Sequence, residues 1–252
     1  MNNKLKVKHL TKIFSGKTVL DDINFEVRQG EFLSILGPSG CGKTTILRIL
    51  IGLEEATSGQ IVKDGADITA LASSARGMGI VFQNYALFQN MTVLENVEYA
   101  LKFNVDRKAQ SRQIAVDLIE QMGLKDYAGK KPGKLSGGQQ QRVAIARTLA
   151  MNPDIILFDE PLSALDVATR LVLRDELKRI QKKYGSTMIY ITHDQEEAFS
   201  MSDRIMVMDT GRLVQLDTPE NIIKNPANDY VQEFVIHNLK LKIDALRKYV
   251  EL

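Results

Sequence analysis

The order of apolar runs predicts an α/β fold in which a mostly parallel sheet is covered by helices on both faces. Three observations carry that prediction. "EFLSILG", "IILFDE" and "TMIYITHD" are short, nearly continuous apolar runs of the kind buried on both faces of a sheet. Segments with apolar residues at helical spacing alternate with them. A glycine-rich loop, "GPSGCGKTT", stands between such a strand and an apolar helix, "TTILRILIGL".

Taken in order, the first forty residues read as strands, with Ile23, Phe25 and Val27 of "INFEV" alternating in the period of a half-buried strand. From about residue 85 to about 150 the texture becomes all-helical. Thr92 and Glu95 form a capping box there, and Ile114, Leu118 and Met122 make one helical face closed by Gly123. Leu173, Leu177, Ile180 and Tyr184 then mark a helix stopped by Gly185. "RIMVMDTGRLVQLD" is two alternating runs around Thr210 and Gly211, a hairpin. The end carries Leu239, Ile243, Leu246 and Val250 at helical spacing and is expected to pack on the body, with contact to a partner as the alternative.

The chain has 252 residues, 44% hydrophobic and 25% charged, enough for one large domain or a core with an inserted subdomain. Cys41 is the single cysteine, which excludes an internal disulfide and fits a reducing compartment. A net charge of +2 with scattered lysine pairs argues against a nucleic-acid face. The N-terminus lacks the apolar core of a signal peptide, and no run approaches the roughly 18 apolar residues of a membrane span. A soluble protein, or one held at a membrane by a partner, is expected.

The loop from Gly37 to Thr45 matches glycine, four residues, then glycine, lysine and threonine. Within Gly37, Pro38, Ser39, Gly40, Cys41 and Gly42, the glycines let backbone N–H groups turn inward around phosphates. Lys43 reaches the β and γ phosphates, the Thr44 hydroxyl ligates magnesium, and Thr45 continues into the helix. "IILFDEP" ends a buried strand in Asp159, a candidate magnesium ligand, and Glu160, a candidate general base for a water. His193 closes another strand and is a candidate γ-phosphate contact. Gln83 of "VFQNYALF" closes a third and is a candidate bridge between magnesium and the water.

The succession of phosphate loop, glutamine, "LSGGQ", "FDEP", "SALD" and "THD" resembles the ATP-binding subunit of ABC transporters, from about Lys6 to Phe234. The resemblance implies a RecA-like P-loop ATPase core with an antiparallel β layer and an inserted α-helical subdomain. The ATPase domain would span residues 1–235, with the core at about 1–84 and 151–235, the helical subdomain at about 85–150 and a short helical tail at 236–252. It also implies ATP and Mg2+ as ligands, with Phe14 stacked on the adenine. Asp166 would lie at a subunit contact, and Ser136, Gly137, Gly138 and Gln139 would face ATP held by a second copy. A separate physical reason supports the last point. A helix opening at Ser136 forms an anion site, yet nothing beside it in "KLSGGQQQR" supplies a base or metal ligand, so it is half a site.

"VFQNYALFQNMTVLENV" and "GRLVQLDTPENIIKNPANDYVQEFV" are similar to stretches in ATPases of polyamine, phosphonate, iron, sulfate and sugar uptake. This implies import of a small solute at the cytoplasmic face of the membrane. Transmembrane permease subunits would be partners, a solute-binding protein would belong to the same system, and no nucleic acid would be bound. Tyr85, Leu87 and Phe88 form a candidate groove for the membrane subunit, or ordinary core of the insert. Gln89 and Asn90 replace the Pro-His of many such relatives, and the tail after Phe234 is expected to leave no room for their regulatory β domain. A soluble ATPase of iron-sulfur cluster assembly is the alternative; its signature usually lacks the run of glutamines.

Overall fold

The computed structural model describes residues 3–104 and 107–247. Two compact units result: residues up to Arg76 together with those from Thr187 onward, and Gly77–Ser186. In the first unit, β1 (Asn3–Phe14) and β2 (Lys17–Arg28) form an antiparallel hairpin. Its turn residues Ser15 and Gly16 both have positive φ, the geometry that matches strand twist in a tight hairpin. All five residues of β3 (Phe32–Leu36) are buried, as a strand flanked on both faces requires. It leads through the glycine loop into α1 (Lys43–Ile51). The strands β4 (Ser58–Lys63) and β5 (Ala66–Asp67) complete an antiparallel sheet of order β2-β1-β4-β5. Arg76, only 4% exposed, donates to the carbonyls of Ile49 and Leu50 at 2.7 and 3.0 Å. A cation thus closes the C-terminal end of the helix that begins at the phosphate loop.

In the second unit, β6 (Met78–Val81) precedes α2 (Val93–Tyr99), α3 (Ser111–Gln121) and α4 (Gly137–Ala150), which are followed by β7 (Ile155–Asp159) and α5 (Val167–Tyr184). The expected capping box is present: Glu95 N–H donates to Thr92 Oγ1 at 3.2 Å, and Thr92 N–H to Glu95 Oε2 at 2.7 Å. Gly185, at φ 58°, stops α5 as expected. Leu173, Leu177 and Ile180 are buried, whereas Tyr184 is exposed and its hydroxyl donates to Gln121 Oε1 at 2.5 Å.

Back in the first unit, β8 (Thr187–Thr192) and β9 (Arg204–Asp209) flank β3 in parallel, and β10 (Arg212–Asp217) pairs with β9 to give the order β10-β9-β3-β8. Thr210 and Gly211 both have positive φ, as the hairpin reading requires. The helices here are α6 (Gln195–Met201), α7 (Pro219–Lys224), the single turn α8 (Asp229–Val231) and α9 (Asn238–Arg247). Leu36, Ile205, Val207, Ile222, Val231 and Val235 share one core cluster, against which Leu239 packs. The tail departs from expectation beyond that point. Ile243 is 60% exposed, while its neighbour Lys242 reaches Glu196 at 3.3 Å and Asp194 at 3.5 Å. Val250 lies outside the described residues.

Candidate active site

Strand register assembles the phosphate-facing part in the first unit. Leu36 of β3 pairs with Thr192 of the parallel neighbour β8. The next residues, Gly37 and His193, therefore leave adjacent strands at the same carboxyl edge, where open α/β sheets bind ligands. The loop's glycines are enforced by space as well as by φ. A Cβ on Gly37 would stand 2.7 Å from the Met208 carbonyl and from Cys41 Sγ, and Gly42, at φ 102°, would drive one to 2.6 Å from Leu20. Lys43 is 4% exposed, and its ammonium donates to the Gly37 and Pro38 carbonyls at 2.8 and 2.9 Å. It is a buried cation held on backbone oxygens of the loop itself, facing the turn an anion would enter. Cys41 is buried, and that burial pushes its thiol up from the ordinary range, so it fills space and is no nucleophile. Phe14 ends β1 with its ring 41% exposed and Lys12 Nζ 4.5 Å from the ring centroid. A flat apolar face is thereby offered to solvent.

The exposed His193 is braced by a residue that sequence reasoning missed. Glu197, 4% exposed on α6, accepts hydrogen bonds from Thr192 Oγ1 at 2.7 Å and from Tyr190 Oη at 2.8 Å. Thr192 Oγ1 in turn accepts from Asp194 N–H at 3.0 Å, so the residues on both sides of His193 are tied to one buried carboxyl. An acid four residues after the histidine in "THDQEEA" was the available signal.

The second unit brings together Gln83, Asp159 and Glu160. Parallel β6 and β7 pair Val81 with Phe158, so these residues emerge at one carboxyl edge. Gln83 Nε2 donates to Ser163 Oγ at 3.0 Å, and Ser163 Oγ donates to the Glu160 carbonyl at 2.9 Å. Glu160 itself has φ 43°, a left-handed conformation that costs a non-glycine residue about 1–3 kcal/mol and clusters at functional sites. Ser163 gave no sequence signal beyond its place in "PLSALD".

The signature turn is a helix start. Ser136 caps α4: Gln139 N–H donates to Ser136 Oγ at 3.3 Å, and Ser136 N–H donates to Gln139 Oε1 at 3.0 Å. Asp166 caps α5 in the same way, accepting from Thr169 N–H at 3.0 Å and from its hydroxyl at 2.7 Å. Those bonds hold the Asp166 carboxyl below its ordinary range. The two helix starts abut. A Cβ on Gly138 would lie 2.6 Å from Thr169 Cγ2, and one on Gly137 2.9 Å from Leu165. Two helix amino ends thus share one corner, a candidate anion site.

Past Gln83, Tyr85 and Ala86 both have positive φ, and Arg147 donates to their carbonyls at 3.1 and 2.7 Å. Of the candidate groove residues, Leu87 is 8% exposed and belongs to the core, whereas Phe88 is 38% exposed and lies 4.7 Å from the Tyr99 ring. Asn96, fully buried, fixes this segment by accepting from Phe88 N–H at 2.8 Å and donating to the Phe88, Met91 and Thr92 carbonyls. No helix among the described residues is long and apolar enough to cross a membrane.

Residues 20–163 match the sequence model of the family described as "ABC transporter". The chain belongs to the ABC transporter family. Within it, the chain is 47% identical over 231 residues to the spermidine/putrescine import ATP-binding protein PotA of Marinobacter nauticus, covering 92% of this chain and 62% of that one. It is 48% identical over 235 residues to the sulfate/thiosulfate import ATP-binding protein CysA 2 of Chromobacterium violaceum, covering 93% and 64%. The chain thus spans less than two thirds of the length of these two relatives. Among solved structures, a dimeric post-hydrolysis state of the ATP-binding cassette MJ0796 bound to ADP and Pi superposes with a TM-score of 0.77. That structure is 36% identical, with 85% of this chain and 98% of the other covered. Membership in the ABC transporter family brings the expected P-loop ATPase fold with it.

Proposed function

We propose that this chain is the ATP-hydrolysing subunit of an importer for a small solute. Two copies would work beneath transmembrane permease subunits at the cytoplasmic face of the cell membrane, with a solute-binding protein in the same system. The names of the relatives at 47% and 48% identity support import. The ATPase domain in this reading is residues 1–235, with its helical subdomain at about 85–150.

The backbone N–H groups of Gly37–Thr45 bind the phosphates of ATP and Phe14 stacks on the adenine. Lys43 exchanges its carbonyl partners for β and γ phosphate oxygens, a charge-assisted bond replacing neutral ones. The Thr44 hydroxyl, the Gln83 amide oxygen and the Asp159 carboxylate are hard oxygen donors of the kind Mg2+ takes, and they would hold it. When bound, that ion offsets negative charge on the phosphoryl oxygens. Glu160 accepts a proton from water as the water oxygen attacks the γ phosphorus, and Gln83 orients that water. The bond from the γ phosphorus to its bridging oxygen breaks, and ADP keeps the electron pair. His193 donates to a γ-phosphate oxygen. Ser136, Gly137, Gly138 and Gln139, with Asp166 at the contact, close on ATP bound by the second copy.

The observation that supports hydrolysis best is the tether on Glu160, whose left-handed backbone and Ser163-bound carbonyl fix the chain at that residue, with the same Ser163 hydroxyl accepting from the Gln83 amide. Glu160→Gln is expected to keep ATP affinity while turnover falls about 10²- to 10⁴-fold. Size-exclusion chromatography of that variant should give dimer with ATP and monomer without. A variant that hydrolyses ATP at the normal rate would remove Glu160 from the role.

A further inference from the structure

An open cleft of about 320 Å³ lies in the second unit, walled by the end of α3, by α4 and by one stripe of α5. None of its lining residues belongs to the phosphate loop, the "FDEP" strand end or the histidine loop. Its chemistry is one-sided. Arg142, Arg179 and Lys183 face Glu176 alone, three cations against one carboxylate. Arg142 Nε donates to Glu176 Oε2 at 3.0 Å, and its two Nη groups make no hydrogen bond among the described residues. Arg179 uses only Nε, toward the Asp175 carbonyl at 3.4 Å, which leaves a second pair of Nη donors.

Residues on the remaining wall leave these donors open. Gly123, at φ 65°, puts no side chain over Arg142; even a Cβ there would stand 3.9 Å from Nη1. Gln121 Oε1 is already saturated, accepting from Lys183 Nζ at 2.9 Å and from Tyr184 Oη at 2.5 Å. The cleft therefore sets the open Nη donors of two guanidinium groups, with Glu176 as its one acidic side chain, over an apolar floor that includes Met122 and Ile180. Its cations outnumber that carboxylate three to one, which favours an anionic guest over a cationic one. A guest with acceptor-only oxygens would meet these forked donors, whose planar geometry suits carboxylate and phosphate.

We propose that this cleft binds a small organic dianion, presenting carboxylate or phosphate-ester oxygens to Arg142 and Arg179 with Lys183 at the rim. The volume suits a molecule on the order of 15 heavy atoms, at the small end of ligand pockets. Burial raises the Glu176 carboxyl against the pull of Arg142, so the one compensating charge is held less firmly than on a surface acid. Binding itself is independent of the transport reading. A consequence for turnover does rest on that reading: a guest bridging Arg142 and Arg179 ties α4 to α5, the helices that begin at Ser136 and Asp166.

Citrate and glycerol 3-phosphate are the probes, titrated calorimetrically into the full chain with ADP saturating the nucleotide site, with neutral glutaramide as control. At least one acid should bind saturably below millimolar, and glutaramide should not. The Arg179→Gln/Lys183→Gln double variant changes two solvent-facing side chains of α5 and should keep basal ATP hydrolysis while weakening that acid at least about tenfold. Preference for citrate would assign carboxylate chemistry, and preference for glycerol 3-phosphate would assign phosphate. Absence of saturable binding by both acids, or equal binding by the double variant, would overturn the site. Binding that leaves ATP hydrolysis unchanged would keep the site and reject only its link to the signature helix.

Discussion

A proton acceptor must stay where its water is, and a side chain that must meet a phosphate must not wander. For the proposed base Glu160, the first demand falls to its backbone at φ 43° and its carbonyl tie to Ser163. For the proposed phosphate contact His193, the second falls to Glu197, buried and bonded to Thr192 and Tyr190, which fixes the chain on either side of the histidine. Glu197→Leu should lower kcat at least about tenfold with KM for ATP little changed, because the contact it controls is spent on the reaction and not on binding. Glu197→Gln keeps an acceptor oxygen and should recover most of the rate. An equal loss in Gln and Leu variants, or a loss confined to KM, would reject the positioning role. The candidate residues Lys43, Glu160 and His193 were singled out from their motifs, the lysine in the phosphate loop and the other two at strand ends. Ser163 and Asn96 were not, because a polar side chain that ties its own loop or helix start through hydrogen bonds carries no motif of its own, and Glu197 was overlooked although it stands four residues after His193.

Among elements, α4 and α5 begin side by side; the start of α4 was readable at Ser136 and α5 from its apolar spacing. The hairpin around Thr210 and the stop at Gly185 were readable because only certain residues tolerate positive φ. In the tail, apolar spacing says which residues share a helix face but not how much of that face is covered: Leu239 packs on the body and Ile243 faces solvent. Helix α4 also holds a liability: Gln141 is fully buried, and neither amide atom has a hydrogen-bond partner among the described residues. Gln141→Met removes two unsatisfied groups at similar volume and should stabilise the protein by roughly 1–2 kcal/mol, read as a higher urea midpoint at unchanged m. A lower midpoint would mean the amide is satisfied in the folded state. The α5 cap makes a pH prediction. Thr169 N–H and hydroxyl bonds lower the Asp166 pKa from its ordinary 3.8, so its stabilisation is complete above that value and disappears as pH falls through the lower folded value. The stability difference between wild type and Asp166→Asn should therefore be flat from neutral pH to about 4 and shrink below it. A difference that grows on acidification would have the wrong sign.

At the scale of the whole molecule, each chain is proposed to carry two incomplete faces, a phosphate loop that lacks a covering helix start and a signature helix start that lacks a nucleotide. Two copies related by a two-fold axis complete both at once. ATP would then be the charge that joins surfaces lined with N–H donors, and its hydrolysis the event that releases them. Complementation in trans tests this most directly. Lys43→Ala removes the loop's cation and Ser136→Arg blocks the signature, so neither variant alone should hydrolyse ATP. In an equimolar mixture, half the dimers would hold one site built from an intact loop and an intact signature, and about a quarter of the wild-type rate should return. A mixture as inactive as its components would contradict the shared site.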